Sequence, residues 1–151
     1  MMSENNQLKY ENYKEQKTRL KRALTQRFFI EAIAIEYSIF EDRSESALRH
    51  AGIKTSSSNG NPITLSRKLN KLESDAKFNE KTVRSKMPIE LIEQIKLWKQ
   101  QRDQLIHALL TLKTSTEQFE ALAEEGNLLI KQFDNKVSSL NRYFDKKVQE
   151  V

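Results

Sequence analysis

Thirteen consecutive positions, Phe28-Phe29-Ile30-Glu31-Ala32-Ile33-Ala34-Ile35-Glu36-Tyr37-Ser38-Ile39-Phe40, are apolar on nearly every side of a helix drawn through them. A helix of that kind has to be enclosed on several sides, by its own chain or by a second subunit. It is too short, and too interrupted by Glu31 and Glu36, to span a bilayer. The chain must therefore supply helices, or a partner, to surround this segment.

The rest of the composition agrees. Only 3 glycines and 2 prolines punctuate the 151 residues, and 31% of them are charged. Such a balance favours long helices over strands joined by many turns. The length suits one domain with a core of its own, so we expect an all-α bundle over residues 1–151 with a short flexible N-terminus of about residues 1–8. There is no cysteine, so a disulfide framework and a thiolate metal site are both excluded. The opening Met1-Met2-Ser3-Glu4-Asn5-Asn6 lacks the charged-then-apolar order of a secretory signal. A soluble, cytoplasmic protein without membrane association is the expectation.

Along the chain, a first long helix is expected from about Asn12 to Ala51, stopped by Gly52 behind Arg49 and His50. Lys54 to Pro62 reads as an exposed loop. One or two short helices between Thr64 and Lys86 carry Leu65, Leu69, Leu72 and Phe78. Pro88 opens a further long helix to about Lys113. Thr114 and Glu117 form a capping box for the last helix. Gly126 is expected to loosen that helix in its first third.

On the Pro88–Lys113 helix, at about 100° per residue, Leu91, Ile92, Ile95, Trp98, Leu105, Ile106, Leu109 and Leu110 share one face. Arg102 falls at the centre of it. A guanidinium there demands a counter-charge or an anionic ligand, because a buried unpaired charge is costly. Glu31, which interrupts an apolar stripe of its own, is the expected partner, with Glu36 and Asp42 behind it. Asp103 and His107 lie four residues apart at the edge of the same face. An arginine–glutamate pair that only sets helix register is the competing reading. His50 reads as a helix-end residue without chemistry.

The stretch Arg102-Asp103-Gln104-Leu105-Ile106-His107 spaces an arginine, a polar residue, three more residues and a histidine. With Trp98 one turn upstream and an acid-bearing first helix that runs through Phe40-Glu41-Asp42-Arg43, the chain from about Arg19 to Leu112 resembles the HEPN family (higher eukaryotes and prokaryotes nucleotide-binding domain). The resemblance implies a four- to five-helix bundle working as a homodimer. It implies a metal-independent endoribonuclease without cofactors, of the kind found as toxins or host-defence components. Arg102 and His107 would be its catalytic pair and Asp103 its polar second position, with the two motifs of a dimer facing across a cleft. A non-enzymatic HEPN-like module that binds a nucleotide or a partner protein is the alternative. An antitoxin protein is a further implied partner. Leu109 stands where relatives with tyrosine-modifying antitoxins carry a tyrosine, which argues against that type.

The residue types suit the chemistry. RNA brings its own nucleophile, the 2′-hydroxyl; a histidine exchanges protons near neutrality; a fixed guanidinium stabilises a pentavalent phosphorane. The net charge of +5 and an isoelectric point near 9.4 are compatible with RNA as partner. The basic stretch of Arg67, Lys68, Lys71 and Arg84, with the lysines of the Asn12 helix, would grip its phosphates.

Overall fold

The computed structural model describes residues 4–149, and these are all-helical apart from loops. Six α-helices follow in order: α1 (Glu4–Thr25), α2 (Phe29–His50), α3 (Leu65–Ser74), α4 (Lys81–Lys86), α5 (Ile89–Leu110) and α6 (Thr116–Gln149), with a 3-10 turn, Ala76–Phe78, before α4. Residues 4–8 belong to α1, so the flexible segment expected over 1–8 is helical from Glu4 onward; residues 1–3 lie outside the described residues.

The long first helix is not continuous. Arg27 takes a left-handed backbone (φ 63), with Arg27 N–H donating to Leu24 O and Phe28 N–H to Ala23 O at 2.8 Å. These are the two bonds of a Schellman stop. The chain reverses there and lays α1 along α2. The apolar character of Phe28–Phe40 favours cover on several sides, and α1 contributes Leu20 and Ala23 to that cover, while Ile30, Glu31, Ala34 and Ser38 keep one side of α2 in water.

α2 forms the centre and packs chiefly on α6, with α1, α3 and α5 around the pair. Phe40 is fully buried, its ring 4.9 Å from Trp98 of α5 and 6.1 Å from Phe133 of α6, centroid to centroid. Leu65, Leu69, Leu72 and Phe78 are buried as their spacing predicts. Gly52 (φ 76) ends α2 with another Schellman pair, Gly52 N–H to Arg49 O and Ile53 N–H to Leu48 O, while Lys77 Nζ caps Ala51 O at 2.7 Å. At α6 the cap is shifted by one residue from expectation. Ser115, rather than Thr114, sits at the cap, and its N–H donates to Gln118 Oε1 at 2.9 Å.

Gly126 does not loosen α6, which runs unbroken. A Cβ at that position would stand inside van der Waals distance of Glu36 Oε1 and 2.8 Å from Trp98 Nε1. The glycine is there because α2, α5 and α6 meet at this point with no room for a methyl group.

Candidate functional site

On α5 the fully buried stripe is Leu91, Ile92, Ile95 and Trp98. Beyond Trp98 the helix rises out of the core: Leu105, Ile106 and Leu109 are half-buried and Leu110 is 78% exposed. Arg102 stands where burial gives way, its side chain 28% exposed, rather than at the centre of a buried face. That placement lets a guanidinium be held without paying the full cost of burying it.

Two contacts hold Arg102. Its Nη1 donates to Asp103 Oδ1 at 2.9 Å, and its Cζ lies 4.3 Å from the centroid of the Tyr37 ring of α2. Stacking on an aromatic face together with a carboxylate bond fixes the plane of the fork. Its Nε is enclosed without a hydrogen-bond partner among the described residues. Asp103 also accepts from Lys99 Nζ at 2.6 Å. Partial burial works to raise the Asp103 carboxyl, but the hydrogen bonds from Lys99 and Arg102 together outweigh it and hold the group below its usual range. Tyr37 moves the other way, raised mainly by burial.

The expected counter-charges are elsewhere. Glu31 faces solvent and pairs with Arg19 of α1 at 3.5 Å, because the α1–α2 turn brings α1 past it. Asp42 pairs with Arg43 at 2.8 Å. Glu36 is fully buried, and both its carboxyl oxygens lack a partner; burial pushes its pKa up to about 9. It is a neutral acid in the core and not a counter-ion. The ion pair of Arg102 is with its own neighbour, Asp103.

His107 is exposed in the last turn of α5, with no hydrogen bond or ion pair among the described residues. The helix C-terminus favours positive charge at that place. The structure therefore puts Arg102, Asp103, Lys99 and Tyr37 in one bonded cluster and leaves His107 beyond it on the same helix. Lys99 was legible, four residues before Asp103 on the same face. Tyr37 was not, since only the packing of α2 on α5 brings it under the arginine.

The basic stretch is partly committed to structure. Arg84 donates to Leu72 O at 3.1 Å, Met87 O at 3.3 Å and Glu73 O at 2.8 Å, tying α4 to the end of α3. Burial lowers its pKa. Lys71 Nζ donates to Lys54 O at 2.9 Å, and Lys68 is 4% exposed. Arg67 alone of the four is an exposed side chain. Among the described residues there is no cluster of three His, Cys, Asp or Glu suited to a metal ion, and no helix is long and apolar enough to cross a membrane. Comparison with family models, curated proteins and solved structures found no match to this chain.

Proposed function

We propose that the chain is a metal-independent endoribonuclease of the HEPN type, acting on single-stranded RNA through Arg102 and His107. The observation that carries this reading is a guanidinium fixed by Tyr37 and Asp103 at the edge of the core, with an exposed histidine further along the same helix. His107 accepts the proton of the ribose 2′-hydroxyl; the 2′-oxygen attacks phosphorus, and the 5′-oxygen leaves and takes a proton from water. Arg102 stabilises the charge gathered on the phosphorane. The products are a 2′,3′-cyclic phosphate and a 5′-hydroxyl.

A homodimer completes this reading. Leu110 and Leu112 on the α5–α6 turn, with Phe28 and Ile30 at the start of α2, are exposed large apolar side chains, a feature common at interfaces. A second copy laid over that rim would bring two motifs towards each other and give His107 an enclosed setting. A toxin or defence role with an antitoxin partner follows from the same resemblance.

One observation favours the alternative of a non-enzymatic module that binds a nucleotide or partner protein. Asp103 is held ionised between Lys99 and Arg102, which neutralises part of the charge that a phosphorane would need. Incubation of single-stranded RNA with the chain in EDTA decides between them. The nuclease reading expects cyclic-phosphate and 5′-hydroxyl ends, whereas intact RNA, or 3′-hydroxyl and 5′-phosphate ends, would refute it.

A further inference from the structure

α1 buries only Leu20 and Ala23, both near its C-terminal end. In its N-terminal half only Tyr13 packs against the core, and a cleft of about 610 Å³ opens between α1, α2 and α6. Small-molecule sites commonly measure roughly 300–1,000 Å³. The floor is a set of paired charges around Tyr13. Arg43 bonds Asp42 at 2.8 Å and lies 4.4 Å from the Tyr13 ring centroid, and Asp134 is taken by Lys17 and approached by Arg43 at 3.9 Å. Burial first, and then the neighbouring Asp134, push the Tyr13 phenol above its ordinary range.

The rim is less committed. His50 Nδ1 lies 2.7 Å from Asp145 Oδ1, which orients the ring and leaves Nε2 without a bond among the described residues. Arg49 reaches Glu45 only at 3.7 Å, beyond hydrogen-bond length. Lys9 forms no ion pair among the described residues, and Tyr10 beside it is half exposed. Asp42, Asp134 and Asp145 are thus spent on fixed partners and Glu45 only approaches Arg49, while Lys9 and Arg49 keep donors to give. Ser46 and Ser138 add hydroxyls to the same walls.

We propose that this cleft binds a phosphate monoester, with Arg49 and Lys9 on the phosphate oxygens, the His50 ring at its rim and the organic part against Tyr10. A guanidinium offers paired donors matched to phosphate. An ester fits better than the free ion because the cleft far exceeds one phosphate and carries an aromatic wall. The site lies at the opposite end of α2 from the α5–α6 turn, so it stands independently of the Arg102–His107 reading.

The chain has two histidines, so imidazole C–H resonances of the full chain, assigned with His50→Gln and His107→Gln, report both ends of the bundle at once. Ribose 5-phosphate and, in a second arm, inorganic phosphate are titrated at constant ionic strength against chloride. The expected result is a saturable shift of the His50 lines, tighter for the ester, with the His107 lines still. Arg49→Gln weakens the apparent affinity by about tenfold or more. Parallel movement of both histidines, absence of saturation, or equal affinity in Arg49→Gln overturns the proposal. RNA cleavage plays no part in this readout.

Discussion

Glu36 sits wholly in the core with both oxygens unbonded, and burial raises its pKa from 4.5 to about 9. The folded chain thus holds a proton that the unfolded chain releases above about pH 4.5. The stability that goes with that proton is fully present below pH 4.5 and is lost as pH rises through about 9. By pH 7 the loss relative to acid is on the order of 3 kcal/mol. Urea midpoints measured between about pH 5 and 9 should fall steadily for the native chain and stay nearly level for Glu36→Gln; parallel slopes would assign the loss to another group. Gly126 belongs to the same contact. In an isolated helix Gly126→Ala would gain up to about 1 kcal/mol, but here we expect a loss of about 1–3 kcal/mol from overpacking. The loss should shrink but not vanish in a Glu36→Ala background, because the clash is with that carboxyl and with Trp98 Nε1.

At the scale of elements, three helix ends share one bonding pattern, and only one could be read from sequence. Gly52 announces the end of α2. Arg27 and Leu112 occupy the equivalent left-handed position with φ 63 and φ 58, where a side chain costs roughly 1–2 kcal/mol. Arg27 is offset by a forked pair with Glu120 at 3.1 and 3.2 Å. That partner lies 93 residues away, so no local signal marks the turn, and Asn12–Ala51 reads as one helix. Leu112 has no such compensation and is 88% exposed. Leu112→Gly should therefore raise stability by about 1 kcal/mol in thermal or urea unfolding of the dilute protein; a fall would mean that the side chain is packed in solution. The buried leucines of α3 and the apolar face of α6 were legible because period and spacing are local. The outer half of α5 departs from expectation for a physical reason: its apolar face continues past Trp98, but the described residues cover it only in part.

For the whole molecule, that partly covered face is where the proposed homodimer would form. Leu105, Ile106 and Leu109 stand half out of the core, with Leu110 and Leu112 exposed beyond them. If a second copy closes over them, Leu110→Lys should shift sedimentation towards the monomer and reduce RNA cleavage together, with helicity unchanged. Loss of cleavage without a change in mass would separate the two. The fold class was accessible from composition and period, and Arg102, Asp103 and His107 were accessible as a spacing. The stack on Tyr37, the true partner of Glu31 and the neutral state of Glu36 depend on contacts between helices distant in sequence. The most direct measurement is the rate of single-stranded RNA cleavage in EDTA by His107→Ala beside the native chain, with circular dichroism matched. A fall of about 100-fold or more is expected, with cyclic-phosphate ends from the native chain. Equal rates for the two proteins would contradict the role proposed for His107.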